Sequence, residues 1–128
     1  ADSKINLASV RVLVAEDNKI NQKVVQGVLK KFHITPTFAI NGQECLEKLV
    51  FSDYDIIFMD MHMPIMDGEN ATKEIRSNPN LINLPIIAMT AHAGNGFRDH
   101  CLNIGMNDFI TKPFHHETIK KAILKWVK

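Results

Sequence analysis

Acidic, hydroxyl and basic side chains follow the apolar runs of this sequence, at positions where they could act together. Glu16 and Asp17 come directly after one run and Asp60 after another, and Thr90 and Lys112 follow two more. Three carboxylates that lie close together repel one another, so one lysine is too little compensation. A hard divalent cation with oxygen ligands, most simply Mg²⁺, would supply the rest. A metal, a lysine and a hydroxyl around a carboxylate favour phosphoryl transfer, with Asp60 as the nucleophile.

The apolar runs before these side chains have the length and composition of buried strands. There are five, at residues 10–15, 36–40, 55–59, 85–89 and 107–110. Helix-length segments with amphipathic spacing separate them, which predicts βαβ units and a parallel sheet. Several runs are apolar throughout, so we expect helices on both faces. With strand order 2-1-3-4-5, the crevice between strands 1 and 3 would gather Glu16, Asp17 and Asp60.

The segments between the runs predict five helices. They cover about residues 18–32, 42–51, 67–77, 96–104 and 115–127. Asp67 is placed to cap the third helix, and Gly105 suits the turn that ends the fourth. In the first helix the spacing predicts a buried stripe made of Asn21, Val24, Val25, Val28 and Leu29.

Length and composition fit one domain and argue against several protein classes. The 128 residues carry 15 Lys+Arg and 14 Asp+Glu, a net charge of +1, which disfavours direct nucleic-acid binding. Cys45 and Cys101 are too few for a disulfide scaffold and lack metal-ligand spacing, so we expect a reduced, cytoplasmic protein. No apolar run approaches the roughly 18 residues of a membrane span, so we expect no membrane contact by this domain. Residues 1–9 are predicted to be an arm or linker before a domain at 10–128.

Four segments of the sequence together resemble response-regulator receiver domains. They are residues 12–18, 59–68, 88–91 and 110–114, which read VLVAEDN, MDMHMPIMDG, AMTA and ITKPF. The opening segment and the Met-Thr-Ala-His run are most similar to receivers of hybrid sensor histidine kinases. The resemblance covers nearly the whole chain and implies a flavodoxin-like (βα)5 fold. It also implies a role in a histidine-to-aspartate phosphorelay, in which the domain catalyses only its own phosphorylation and dephosphorylation.

The resemblance implies an acceptor and a set of metal ligands. Asp60 would accept the phosphoryl group from a phosphohistidine on a histidine-phosphotransfer protein or on a kinase dimerisation domain. Asp17, Asp60 and the backbone carbonyl of His62 would ligate Mg²⁺, with Mn²⁺ as an alternative ion. Glu16 would act on the same ion through a bound water.

The resemblance also implies residues that respond to the new charge. Thr90 and the backbone N–H of Ala91 would donate hydrogen bonds to the phosphoryl oxygens, and Lys112 would pair with them. A phosphoryl group adds about −1.5 to −2 charges, so it would draw Thr90 and Lys112 inward and alter the surface around strands 4 and 5. Phe109 stands at the family's switch-aromatic position and has no hydroxyl, so packing alone would drive a switch there.

Two further groups of residues are candidates for tuning and docking. His62 and His92 lie two positions beyond Asp60 and Thr90, and the resemblance implies that side chains there overhang the phosphoryl group, so imidazoles would influence hydrolysis of the acyl phosphate in a pH-dependent way. An apolar shoulder at the mouth of the site would dock a histidine-bearing helical bundle. Its predicted members are Ile20, Gly27, Met63, Pro64, Pro113 and Phe114.

Three other kinds of protein are alternatives to a phosphorylated receiver, and a single sequence feature distinguishes each of them. A haloacid-dehalogenase-like phosphatase would need a second aspartate two residues after the nucleophile, where this sequence has His62. A nucleotide-binding flavodoxin-like module would need a glycine-rich loop after the first strand, and none is present there. A non-phosphorylated pseudo-receiver, acting as an interaction module, would not need all five site residues. The donor, the output and the activity of a longer parent chain stay open, although the Ala1 start and the hybrid-type motifs favour an excised domain.

Overall fold

In the computed structural model, which describes residues 6–127, five parallel strands form one sheet between two layers of helices. The strands are β1 (Val12–Ala15), β2 (Thr37–Ala39), β3 (Ile56–Asp60), β4 (Ile86–Thr90) and β5 (Asp108–Thr111). Their order is β2-β1-β3-β4-β5, and all neighbours pair in parallel, which confirms the predicted topology. Of the predicted arm, residues 1–5 lie outside the described part, and Leu7–Ser9 form a short 3₁₀ turn.

Five helices connect and follow the strands. They are α1 (Lys19–Lys30), α2 (Gly42–Phe51), α3 (Gly68–Arg76), α4 (Phe97–Ile104) and α5 (His116–Trp126). The side chains of Asn18, Asn41 and Asp67 cap the first three by accepting a backbone N–H three residues on. Gly105 ends α4 with φ +106°, as its position predicted. Within residues 6–127, no helix combines the length and the apolar character that crossing a bilayer would require.

The strands β3, β4 and β5 each begin and end one residue later than the apolar runs predicted. The reason is that the ladder continues past the last apolar side chain: Asp60 pairs in register with Met89, and Thr90 pairs with Thr111. The polar residues at these strand ends are therefore held by the sheet itself. β1 and β2 are shorter than predicted, because pairing starts only at Val12 in β1 and covers only Thr37–Ala39 in β2.

The hydrophobic core consists of one layer on each side of the sheet. Buried side chains of α1 and α5 pack with Val12, Val14, Ile56 and Phe58 on one face. Buried side chains of α2, α3 and α4 pack on the other face with Leu13, Ala15, Ile57 and Met59. Every residue of β1, β3 and β4 is buried, which confirms that helices cover both faces.

The predicted core stripe of α1 is wrong at one of its five positions. Val25, Val28 and Leu29 are buried as expected and Asn21 is half-buried, but Val24 is 42% exposed. The helix meets the core along a narrower stripe than the apolar spacing indicated. Val24 instead lies on the solvent side between Ile20 and Gly27, at i, i+4 and i+7 spacing on one face.

Replacing His33 with glycine is expected to stabilise the fold by about 0.5–1 kcal/mol. His33 follows α1 in the left-handed region with φ +62°, and Ile34 N donates to Leu29 O at 3.0 Å across the turn. Glycine is the residue that this turn prefers, because a Cβ is strained there. Urea unfolding measures the difference. Gly105→Ala is the matched control and should destabilise, since its new Cβ would lie 2.7 Å from Arg76 Cγ. A His33→Gly variant less stable than the wild type would contradict this account.

Candidate functional site

Three carboxylates meet at the carboxyl ends of β1 and β3. Ala15 pairs with Met59 in the central ladder, so the next residues, Glu16 after β1 and Asp60 at the end of β3, lie side by side. Glu16, Asp17 and Asp60 each offer a carboxylate oxygen, and these oxygens all lie within 4.8 Å of one another. Glu16 and Asp60 are buried, whereas Asp17 is exposed at the mouth. The structure thus brings together the three acids that the sequence placed in one crevice.

Lys112 links two of these acids from the far side of the site. Its Nζ lies 3.1 Å from Glu16 Oε1 and 3.5 Å from Asp60 Oδ2. The lysine follows β5, and its backbone N–H donates to Thr90 O at 2.8 Å. The Lys112–Pro113 peptide bond is cis. One ammonium group against three carboxylates leaves the site with an excess of negative charge, which a cation would offset.

Glu16 is the most strongly perturbed acid of the site. Its Oε2 accepts a hydrogen bond from Asn18 N at 3.3 Å. Its buried Oε1 has no hydrogen bond within the described residues, although the Lys112 ammonium is close enough to pair with it electrostatically. Burial above all, and then the neighbouring Asp60, raise the pKa of Glu16 from its ordinary value of 4.5 to about 7, while Lys112 opposes this rise. A buried carboxylate oxygen that lacks a hydrogen bond within the described residues, in a cluster of acids, fits a hard divalent cation.

The raised pKa of Glu16 predicts that the metal-free protein loses stability as pH rises. The folded state binds this proton more tightly than the unfolded state, so the contribution is complete below about pH 4.5 and is lost through about pH 7. Its size is at most about 3 kcal/mol. Urea unfolding in EDTA near pH 5 and pH 8 should show wild type losing stability relative to Glu16→Gln. Glu47→Gln, at an exposed position of α2, is the control. A gap between wild type and Glu16→Gln that does not change with pH would contradict the assignment.

Asp60 is held by close backbone packing around the loop that follows β3. Its Oδ1 accepts a hydrogen bond from His62 N at 3.2 Å, and the carboxylate is nearly buried. The first residue of α3, Gly68, lies so close to the end of β3 that a Cβ there would clash with Asp60 O. Gly42 holds the same loop by donating its N–H to Met66 O at 2.8 Å. Neither glycine was predicted to shape the site, although Gly68 directly follows the cap residue Asp67 and ends the segment 59–68.

Thr90 is buried at the end of β4, and its hydroxyl is committed to the loop that follows. Thr90 Oγ1 donates to His92 O at 2.8 Å and accepts from His92 N at 3.1 Å. Ala91, His62 and His92 are exposed around the mouth. A phosphoryl group on Asp60 would therefore compete with the His92 backbone for the Thr90 hydroxyl.

Phe109 is half-buried on β5 and contacts the first turn of α4. Its ring meets Phe97 edge-to-face at 5.1 Å, and the Arg98 guanidinium lies 5.1 Å above the same ring. The aromatic position named by the resemblance is thus packed directly against α4. Its role as a switch stays a prediction.

Not all residues of the predicted docking shoulder lie at the surface. Ile20 is 73% exposed, and Gly27, Pro64 and Pro113 are exposed as well. Met63 and Phe114 are buried, so the prediction that they face a partner is wrong. Met63 packs into the layer of α2, α3 and α4, and Phe114 packs into that of α1 and α5. Val24, which the sequence analysis placed in the core, is the residue that joins Ile20 and Gly27 at the surface.

Comparisons with known proteins point to one family. A family model described as "Response regulator receiver domain" matches residues 12–124. Among curated relatives, hybrid signal transduction histidine kinase K of Dictyostelium discoideum is 42% identical over 121 residues, which is 89% of this chain and 10% of the relative. Hybrid signal transduction histidine kinase A of the same organism is 39% identical over 120 residues, 91% of this chain and 6% of the relative. The chain therefore spans a tenth or less of these two relatives.

Solved structures agree with the sequence matches. The receiver domain of a sensor histidine kinase from Pseudomonas aeruginosa PAO1, with a magnesium ion coordinated in its active site cleft, is 37% identical with a TM-score of 0.83, covering 91% of this chain and 96% of that one. The receiver domain of the Saccharomyces cerevisiae response regulator Ssk1, solved with the histidine phosphotransfer protein Ypd1, is 31% identical with a TM-score of 0.84, covering 92% and 88%.

Proposed function

The chain belongs to the response regulator receiver domain family, and from this premise we propose that Asp60 accepts a phosphoryl group from a phosphohistidine on a partner protein. It is a receiver of two-component phosphorelay signalling. The observation that carries the proposal is the cluster of Glu16, Asp17 and Asp60, with Lys112 bridging the two buried acids. This intact charge arrangement gives no support to the alternative of a non-phosphorylated interaction module.

The donor set of the site fits a magnesium ion. We infer that Asp17, Asp60 and the backbone carbonyl of His62 hold it, that Glu16 contacts it through a water, and that Mn²⁺ could replace it. Two observations support this inference: the acids outnumber the nearby ammonium groups, and Glu16 Oε1 has no hydrogen bond within the described residues. When bound, the ion would neutralise charge on the phosphoryl oxygens and orient them. The related Pseudomonas receiver binds magnesium in its active site cleft.

The transfer itself is an exchange of one bond to phosphorus for another. An Asp60 carboxylate oxygen attacks the phosphorus in line with the imidazole nitrogen of the donor. As the new O–P bond forms, the N–P bond breaks and its electron pair stays on the nitrogen. The donor leaves as neutral imidazole, because its other ring nitrogen carries the proton. His62 N–H fixes the orientation of Asp60, and Lys112 stabilises charge on the transferred group.

After transfer, the residues around Asp60 would rearrange in response to the negative charge of the phosphoryl group. The Thr90 hydroxyl and the Ala91 N–H would donate to the phosphoryl oxygens, and Lys112 would move from Glu16 towards them. Thr90 must then release the His92 backbone, to which it is now bound. Water attack on the phosphorus would return Asp60 and inorganic phosphate. The proposed influence of the His62 and His92 imidazoles on that step stays a prediction.

A helical phosphohistidine donor fits the surface beside the site. Ile20, Val24 and Gly27 form an exposed apolar face on α1, and Pro64 and Pro113 flank the mouth. We propose that a histidine-phosphotransfer protein or a kinase dimerisation domain docks there. The related Ssk1 receiver was solved in complex with such a phosphotransfer protein. The buried free thiols of Cys45 and Cys101 fit a reducing, cytoplasmic setting.

The proposal is tested by phosphorylating the chain with a small-molecule donor. Incubation with acetyl phosphate or phosphoramidate and Mg²⁺ should add the mass of one phosphoryl group. The modification should be stable in acid and labile in base, as an acyl phosphate is, and borohydride reduction should convert residue 60 to homoserine. EDTA is the matched control and should prevent the mass increase. No labelling, or labelling mapped to a residue other than Asp60, would overturn the proposal.

A further inference from the structure

Asp108, the first residue of β5, ties three elements together at the edge of the sheet. Its Oδ1 accepts from Arg98 Nη1 of α4 at 3.2 Å and from Phe109 N at 2.8 Å. Its Oδ2 accepts from Trp126 Nε1 of α5 at 3.2 Å, and Lys125 Nζ lies 3.8 Å away. The carboxylate is only 16% exposed, although its partner Arg98 is 58% exposed. We call the pair Arg98–Asp108 the β5 latch.

The β5 latch also fixes the aromatic ring beside it. The guanidinium that binds Asp108 lies 5.1 Å above Phe109, at cation–π distance, and Phe97 packs edge-to-face on the same ring. Phe97 and Arg98 are the first two residues of α4. The position of Phe109 is therefore coupled to the first turn of α4 through two contacts.

Other contacts hold the two ends of α4 very unequally. At its carboxyl end, Gly105 O accepts from Arg76 Nε at 2.7 Å, and the same guanidinium binds Leu81 O and Asn107 Oδ1. At its amino end, Gly96 has φ +81° and provides no side-chain cap. Residues 91–96 before it are all exposed, and Gly94 and Gly96 have open space around them. The carboxyl end of α4 is therefore anchored through the backbone, whereas its first turn is held by side chains: by the β5 latch, by Phe97, and by His100, whose Nε2 lies 2.8 Å from Glu69 Oε1 of α3.

The loop that leads into this first turn begins at Thr90, whose hydroxyl holds the His92 backbone. We propose that Arg98 and Asp108 are positioning residues that hold the first turn of α4 and Phe109 in the unphosphorylated arrangement, and that phosphorylation of Asp60 opens the β5 latch. The proposal rests on the proposed function. When Thr90 turns to the phosphoryl group, it releases His92, and the loop leading into Phe97 and Arg98 moves. Because linkage is reciprocal, the closed β5 latch must oppose occupation of the Asp60 site.

The test uses beryllofluoride with Mg²⁺ as a non-covalent substitute for the phosphoryl group. Arg98→Met removes both the ion pair and the cation–π contact, and should bind beryllofluoride about fivefold more tightly than the wild type. Arg98→Lys keeps the charge and should lie between the two. Arg11→Met is the matched control, since Arg11 is 61% exposed and pairs with Asp55 just before β3; its affinity should equal that of the wild type.

The fluorescence of the single tryptophan provides a second measurement. It would not respond to beryllofluoride if Arg98 and Asp108 only stabilised the fold. Trp126 bonds the latch carboxylate, so its emission should change when wild type binds beryllofluoride, and change much less in Arg98→Met. Equal affinities of Arg98→Met and wild type, or an unchanged wild-type emission at saturation, would overturn the β5 latch alone. Failure of the wild type to bind beryllofluoride would overturn the proposed function and the latch with it. Thermal unfolding of each variant verifies that it is folded.

Discussion

Asp60→Asn is expected to lose all phosphate incorporation and, in metal-free buffer, to unfold at a higher urea concentration than the wild type. The loss follows because an amide has no nucleophilic carboxylate oxygen. The gain follows because Asp60 lies with two other acids within 4.8 Å and, among residues 6–127, Lys112 alone brings an ammonium group to them. Removing its charge relieves two repulsions and gives up one attraction. The net gain should be about 1 kcal/mol, since such pairs are partly screened by water.

The same substitution should also alter the titration of its neighbour. Asp60 is the second cause of the raised pKa of Glu16, so that pKa should fall in Asp60→Asn and the loss of stability with rising pH should shrink. Mg²⁺ should stabilise the wild type more than the variant, because the variant offers one carboxylate fewer. Asp53→Asn, at an exposed position away from the site, is the control. Labelling of Asp60→Asn, or a variant less stable than the wild type in EDTA, would contradict the assignment.

The parallel sheet and the polar residues at its carboxyl edge could be predicted because both depend on local signals, whereas the strand order came from the family resemblance. Apolar runs mark the buried strands of a parallel sheet, and the residues that follow such strands meet at one edge. The strand ends were less predictable. Asp60 and Thr90 belong to the ladder, since backbone pairing continues regardless of whether the side chain is apolar.

The sequence could not show which individual apolar residues are exposed at the surface and which are buried in the core. Met63 and Phe114 are apolar residues near the mouth, but sequence does not show that their side chains turn inward. Val24 has the spacing of a core residue, yet α1 packs too narrowly to cover it. The β5 latch also could not be predicted from the sequence, because Asp108 is separated from Arg98 by 10 residues and from Trp126 by 18. Such contacts depend on the packing of three elements and on side-chain rotamers.

Lys112→Ala is expected to slow phosphorylation by a small-molecule donor on the order of 100-fold while leaving the acceptor intact. The Lys112 ammonium is the group placed to stabilise negative charge on the transferred phosphoryl, 3.5 Å from Asp60 Oδ2. The variant should still bind Mg²⁺, because all three acids remain. Lys112 also opposes the rise in the pKa of Glu16, so that pKa should climb further without it. In EDTA, the loss of stability with rising pH should therefore extend to higher pH than in the wild type.

Two further variants show whether the rate depends on the exact position of the Lys112 charge or only on its presence. Lys112→Arg keeps a positive charge but spreads it over a planar group that cannot occupy the same point between Glu16 and Asp60, so it should recover only part of the rate. Lys121→Ala removes an exposed lysine from α5 and should leave the rate unchanged. The rates are measured by mass spectrometry at saturating Mg²⁺, which excludes weaker metal binding as the cause. A Lys112→Ala rate within about threefold of the wild type would mean that the lysine only balances the buried acids, because a charge acting on the transferred group lowers the barrier by more than that.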